Sequence, residues 1–229
     1  MSKSAAVIRG DGTGPELVNA MMNVLKACNS KVELIPCDAG SEWWQKAGGD
    51  SYISPQVWKL LEDSDACFKG PTTTVPLPNA PRSVAVSIRQ KFELYGNIRP
   101  IKTYKGAPIG LDFVCVREAT EGLYAGIEFR ISDDSAIAIR KTTRKGCERI
   151  ARKGFEVAQQ RGYKKLFAIT KRNILKETDG IFWQAVEKAG KEFKGIEVEE
   201  YYIDNMTQQL VKNPERFNGS VLLSTNLFM

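Results

Sequence analysis

Apolar residues recur along this chain in two rhythms, and the two alternate. Short apolar runs at residues 5–8, 32–35 and 65–68 predict strands. Between them Leu17, Met21, Val24 and Leu25 recur at helical spacing, and Val57, Leu60 and Leu61 follow Ser54-Pro55 in the same way. Thr13 is placed to cap the first helix, with Pro15 in its first turn. Residues 82–92 have a helical pattern, and 95–98 are extended before Arg99-Pro100. A strand-rich middle follows at 111–116, 126–131 and 135–139. Then come a helix at 146–160, a strand at 166–170, a helix at 178–193, a strand at 196–203, a helix at 204–212 and a last strand at 221–225. Strands alternating with helices predict an α/β fold. The successive strands between 111 and 140 predict that the second half is not purely doubly wound. Residues 101–108 are polar and turn-rich, which places a domain boundary near Pro100 and divides the chain into 1–100 and 101–229.

Composition narrows the function classes. The chain has 229 residues, 42% of them apolar and 26% charged, an ordinary balance for a packed globular protein. The formal charge of +6 admits a nucleic-acid partner or an anionic small substrate. Lys and Arg are spread along the chain without a basic run, which favours the small substrate over nucleic acid. Cys28, Cys37, Cys67, Cys115 and Cys147 are odd in number and form no CxxC pair. That pattern predicts reduced thiols and a cytoplasmic location rather than a disulfide framework or a zinc site. The N-terminus lacks the apolar core of a signal peptide, and no stretch reaches the length of a membrane span. With no histidine in the chain, acid–base chemistry near neutrality falls to Lys, Tyr, Asp, Glu or Cys.

Several segments carry candidate chemistry. Gly10-Asp11-Gly12-Thr13-Gly14-Pro15-Glu16 has glycines at alternate positions, which permits sharp turns or close approach to a ligand, but it breaks the GxGxxG spacing. Lys69-Gly70-Pro71-Thr72-Thr73-Thr74 sets hydroxyls at a strand end. Arg82 and Arg89, seven apart, can share one helix face. Arg99 and Arg117 lie at strand ends, where α/β proteins gather their ligands. Guanidinium groups grip carboxylates in pairs of hydrogen bonds, so several arginines point to a di- or tricarboxylate or a phosphate. Tyr124, in Glu118-Ala119-Thr120-Glu121-Gly122-Leu123-Tyr124, and Lys171, in Lys171-Arg172-Asn173-Ile174, are proton-transfer candidates. Taken singly, each has a plainer reading: a tight turn, a solvated loop, a surface salt bridge, a core-edge tyrosine, an exposed lysine.

In this order and spacing the segments resemble the β-decarboxylating dehydrogenases, the isocitrate and isopropylmalate dehydrogenase family, from Val7 to Met229. The resemblance implies a fold of two α/β domains. Residues 1–100 would begin the large cofactor-binding domain. Residues 101–229 would form the small substrate and dimerisation domain and run into the return to the large one. It implies oxidative decarboxylation of a 2-hydroxy acid by NAD or NADP with Mg2+ or Mn2+. Ser83, Arg89, Arg99 and Arg117 fall on substrate-carboxylate positions, and Thr73, Thr74 and Asn173 on positions near the nicotinamide. Tyr124 and Lys171 match the catalytic pair, with Lys171 the base for the hydroxyl proton and Tyr124 the acid that protonates the enol. Asp204 matches a metal ligand. Lys171 and Asp204 would serve the partner's site in a homodimer. Ser83 favours isocitrate, but Ala85 stands where isocitrate enzymes usually carry Asn. The retained Tyr124 and Lys171 argue against a non-catalytic regulatory subunit. The family sets two more metal-binding aspartates and its adenosine loop after the segment that is Asn226-Leu227-Phe228-Met229 here, so the 229-residue chain by itself is expected to be inactive.

Overall fold

The computed structural model describes residues 3–77 and 80–226. Leu227, Phe228 and Met229, at the end of the last motif, lie outside the described residues. The chain folds as two compact units, Met1–Lys91 and Phe92–Met229.

The first unit is a parallel sheet with helical crossovers. Strand β1 (Ser4–Ile8) lies between β2 (Glu33–Cys37) and β3 (Ala66–Lys69), parallel to both. Its run Ala5–Ile8 is buried, as a central parallel strand requires. Helix α1 (Gly14–Ala27) carries Pro15 in its first turn. Thr13 occupies the cap position, but its hydroxyl makes no capping bond, contrary to the expectation. Its backbone is already helical, and Gly12 N–H, just before it, donates to the Glu42 carboxylate at 2.7 Å. Helix α2 (Ser41–Ala47) was not expected from the sequence. Helix α3 (Pro55–Asp63) starts as predicted, with the Ser54 hydroxyl accepting from Val57 N–H at 3.2 Å. Helix α4 (Val84–Lys91) begins two residues later than expected. Arg82 therefore precedes the helix and shares no helix face with Arg89; its guanidinium donates to the Gln90 side chain instead.

The second unit is built on a five-stranded sheet in the order β4-β5-β10-β8-β9. The strands are β4 (Gly96–Lys102), β5 (Asp112–Glu118), β8 (Lys165–Thr170), β9 (Glu197–Tyr202) and β10 (Ser220–Ser224); β4 alone runs antiparallel. Pro100 sits inside β4 opposite Val114, so the strand passes through the expected domain boundary. Proline is tolerated there because β4 is an edge strand. The compact units accordingly divide between Lys91 and Phe92, ahead of β4.

Side chains of the sheet sort by the period-two rule. Val114, Val116, Leu166, Ala168, Val221 and Leu223 face helices α5 (Arg144–Gln160) and α6 (Lys176–Glu192) in one buried cluster with Ile150, Phe155 and Phe182. The alternate positions Phe113, Phe167, Ile169 and Leu222 face Met206 of α7 (Ile203–Lys212) and Phe217 of the short turn Pro214–Phe217. Strands β6 (Gly122–Ser132) and β7 (Ser135–Lys141) pair with each other as an antiparallel hairpin. That hairpin leaves Ile127, Phe129, Ile131, Ile137 and Ile139 exposed. Among the described residues, no helix is long and apolar enough to cross a membrane.

All five cysteines are free, as the sequence suggests. Burial of Cys147, on the helix Arg144–Gln160, pushes its thiol up to about 12, with Glu121 and Glu118 adding to the shift, and burial takes Cys37 and Cys115 to about 11. A raised folded-state value means the contribution to stability is present below the unfolded value of 9.0 and is lost as pH rises from there toward 12. Two results are expected. A thiol reagent at pH 8 modifies exposed Cys28 rapidly and Cys147 only on unfolding. The urea midpoint falls between pH 9 and pH 11, and more steeply in wild type than in Cys147→Ala.

Candidate active site

The carboxyl ends of the parallel strands gather Arg117, Lys171 and Asp204; Arg99, expected at a strand end, lies inside antiparallel β4 opposite Cys115, because β4 continues through Pro100 to Lys102. Arg117 lies near the end of β5, in register with Ser224 at the end of β10. Ser224 in turn pairs with Ile169, and Lys171 follows directly after β8. Asp204 follows β9 in the first turn of α7. Such an edge is where open parallel sheets bind ligands.

Two groupings form there. Arg99 and Arg117 line one cavity of about 490 Å3 with Asn97, Cys115, Ile169 and Ser224. Both arginines are on the sheet face away from α5, because Asn97 pairs with Arg117 and Arg99 with Cys115 across β4 and β5. The Arg99 guanidinium donates to Asn97 Oδ1 at 2.9 Å, and the Arg117 guanidinium stands 5.9 Å from the centre of the Tyr124 ring. The second grouping is an ion pair: Lys171 Nζ lies 3.0 Å from Asp204 Oδ1. The hydrogen bond from Lys171 is the main reason the Asp204 carboxyl is held below the usual carboxylate range. Asp204 therefore stays an anion, a hard oxygen donor of the kind Mg2+ and Mn2+ prefer. Among the described residues no group of three His, Cys, Asp or Glu side chains comes together to hold a metal. Asn173 borders an open surface hollow with Arg172, Lys176 and Trp183.

In the first unit Asp11, buried to 4% exposure, organises the strand-end loops. Its carboxylate accepts from the N–H groups of Ser41 at 3.1 Å, Glu42 at 2.9 Å and Thr73 at 2.6 Å. One side chain thus caps α2 and anchors the threonine loop that contains Thr73 and Thr74. The glycines permit it. Gly10 has a φ of +77°, and a Cβ there would lie 1.9 Å from the Pro71 carbonyl oxygen. Gly40, at φ +128°, would press a Cβ to 2.4 Å from the Asp11 carboxylate. Beside this loop, burial lowers the Lys69 ammonium from its usual range, and nearby Arg89 pushes the same way. Ser83 accepts from Val86 N–H at 3.3 Å in the first turn of α4. Ser83, Arg89, Thr73 and Thr74 belong to this unit, and Arg99, Arg117, Tyr124, Lys171, Asn173 and Asp204 to the other.

Sequence reasoning passed over Asp11, Asn97 and Ser224. Asp11 had a signal, an acid inside the glycine motif. Asn97 and Ser224 are marked only by strand register.

Known proteins resemble this chain in sequence and fold. The family model described as isocitrate/isopropylmalate dehydrogenase matches residues 4–228. The chain is 37% identical over 229 residues to a 3-isopropylmalate/3-methylmalate dehydrogenase of Methanocaldococcus jannaschii, covering 97% of this chain and 66% of the relative. It is 35% identical to an NADP isocitrate dehydrogenase of Thermus thermophilus, covering 98% of this chain and 46% of that one. The crystal structure of isocitrate dehydrogenase from Methylococcus capsulatus superposes with a TM-score of 0.90 at 37% identity, over 98% of this chain and 67% of that one. The chain therefore spans about half to two thirds of the length of the relatives it matches. With a match over nearly all its residues and a shared fold, the chain belongs to the isocitrate/isopropylmalate dehydrogenase family.

Proposed function

We propose that this chain supplies the substrate-gripping and proton-transfer side chains of a decarboxylating dehydrogenase that oxidises isocitrate to 2-oxoglutarate with NAD(P)+. The observation that carries the reading is the constellation on the sheet of the second unit: two arginines on one cavity, a tyrosine against one of them, and the Lys171–Asp204 pair. Arg99 and Arg117 would hold substrate carboxylates, the role that the family resemblance also gives Arg89 and Ser83 of the first unit. Lys171 would take the proton from the substrate hydroxyl, and Tyr124 would return one to carbon after CO2 leaves. Thr73, Thr74 and Asn173 would flank the nicotinamide. Asp204 would be one oxygen ligand of a divalent cation. That ion, when bound, would polarise the substrate oxygens, and NAD(P)+ would accept the hydride.

One carboxylate does not complete a site for an ion that takes six oxygens. A homodimer in which Lys171 and Asp204 face the partner's substrate is the assembly this reading implies. The exposed apolar residues of the β6–β7 hairpin support it, since a two-stranded hairpin is marginal without a covering surface. The 229-residue polypeptide by itself is proposed to be inactive: no measurable isocitrate oxidation is expected from it, and turnover at a normal rate would show the metal site to be misplaced.

A second substrate, 3-isopropylmalate, is favoured by the Methanocaldococcus jannaschii relative named for it, while Ala85, two residues after Ser83, departs from the Asn usual in isocitrate enzymes. Full-length enzyme assayed with isocitrate, 3-isopropylmalate, homoisocitrate and tartrate, each with NAD+ and NADP+, decides between them. Isocitrate is expected to lead by about tenfold or more in kcat/KM. Preference for 3-isopropylmalate would overturn the substrate, and turnover of none of the four would overturn the reaction.

A further inference from the structure

Asp179 is fully buried, charged and unused by the roles assigned so far. It lies in the first turn of α6, and its two carboxylate oxygens serve different segments. Oδ2 accepts from the backbone N–H of Lys171 at 2.6 Å, and Oδ1 accepts from Arg140 Nη1 at 2.8 Å. The turn after β8 is thereby closed at both ends. Leu175 N–H donates to the Lys171 carbonyl at 2.8 Å, and Asp179 N–H donates to the Leu175 carbonyl at 3.0 Å.

Arg140 is a half-buried brace rather than a surface cation. Besides Asp179 it donates to Thr178 Oγ1 at 2.9 Å and to Thr225 Oγ1 at 2.8 Å, just past β10. It is carried on β7, one residue before Lys141, which pairs with Gly122 of β6. Tyr124 is two residues beyond Gly122 on that strand. Asn226, next to Thr225, donates to the Glu121 carbonyl at 3.1 Å, at the start of the same strand. The guanidinium thus ties the strand that carries Tyr124, the end of β10, and α6, and through Asp179 it reaches the Lys171 amide.

We propose that Asp179, held by Arg140, is the positioning residue for Lys171: its carboxylate fixes the backbone from which the base projects. The proposal rests on the reading of Lys171 as the base. A buried carboxylate with a guanidinium on one oxygen and an N–H on the other has no freedom to shift without leaving a partner unsatisfied. Lys171 itself is tethered at its side chain by a more exposed, weaker pair with Asp204. The geometry of the amine therefore depends on the buried end.

The test uses amide hydrogen exchange and steady-state kinetics on the full-length enzyme. In wild type the Lys171 amide should be protected like the neighbouring amides of β8; exchange at the rate of an open surface amide would overturn the proposal whether or not any variant folds. In Asp179→Asn the Lys171 amide should exchange about tenfold faster or more, with Phe167–Ile169 unchanged, and kcat should fall about 10- to 100-fold with KM within about threefold. Arg140→Met should give the same split more weakly, and Arg140→Lys should recover part of the lost kcat. Unchanged kcat in Asp179→Asn, or a loss of thermal stability alone at full activity per folded enzyme, would reduce Asp179 to a structural ion pair. Lys171→Met is the separate control: if it retains kcat, the base is misassigned, while the exchange result still judges the brace.

Discussion

Lys171→Met in the full-length enzyme is expected to lower kcat by about 10^2- to 10^4-fold, the range over which a positioned acid or base acts. Met keeps the length and apolar stem of Lys and removes the amine. Substrate binding should change little, because the carboxylates are assigned to Arg89, Arg99 and Arg117, none of which the substitution touches. Substrate dissociation measured by equilibrium dialysis should therefore stay within about threefold of wild type while kcat collapses. The Asp204 carboxylate supplies an internal marker. Its lowered pKa comes first from the hydrogen bond to Lys171, so removing the lysine should let the carboxyl rise toward the ordinary range, visible by NMR titration. A variant with near-normal kcat, or with kcat and substrate affinity falling together, would remove Lys171 from the role of base.

The fold was legible wherever the local pattern was also the deciding force. The alternation of β5 divides Val114 and Val116 from Phe113, Cys115 and Arg117, and those two sets face different layers. Helix α3 announces itself through Ser54 and Pro55, and the structure shows that cap. What stayed hidden depended on partners far along the chain. Helix α2 is seven residues long and takes its N-terminal acceptor from Asp11, 30 and 31 residues earlier, so no local window contains its start signal. Thr13 looked like a cap because its residue type suits one, yet its neighbour's N–H is satisfied by Glu42 from α2. The polar, turn-rich residues 101–108 point to a boundary near Pro100, yet β4 runs through it to Lys102, and the edge position of that strand makes the proline acceptable.

The candidate site divides the same way. Arg99, Arg117, Tyr124, Lys171 and Asp204 stand out through residue type and place after apolar runs, and they lie in two groupings on the second unit. Their supports do not stand out. Asp179 reads as an acid favouring a helix start, one of two in that turn, until Arg140 is found on it from 39 residues upstream. Buried polar supports are chosen by three-dimensional satisfaction of hydrogen bonds, and that choice leaves little trace in hydrophobic period or local propensity.

Asp11→Ala is expected to be the most destabilising of the substitutions considered for the first unit, at about 3–5 kcal/mol. The carboxylate is the acceptor for three backbone N–H groups, on Ser41, Glu42 and Thr73, and the first of these bonds is buried. Alanine leaves all three without it, at a position only 4% exposed. Asp11→Asn keeps one oxygen acceptor and loses the charge, so it should fall between alanine and wild type. Thr13→Ala, two residues on, is the contrasting case: its hydroxyl makes no capping bond, so the cost should stay within about 0.5 kcal/mol. Urea unfolding followed by the fluorescence of Trp43, Trp44 and Trp58, all in the first unit, reads this directly. The midpoint should drop sharply for Asp11→Ala and hardly for Thr13→Ala. Equal midpoints would mean that the glycine motif is held by its turns alone. The predicted order would mean that this acid is what joins α2 and the threonine loop to the end of β1.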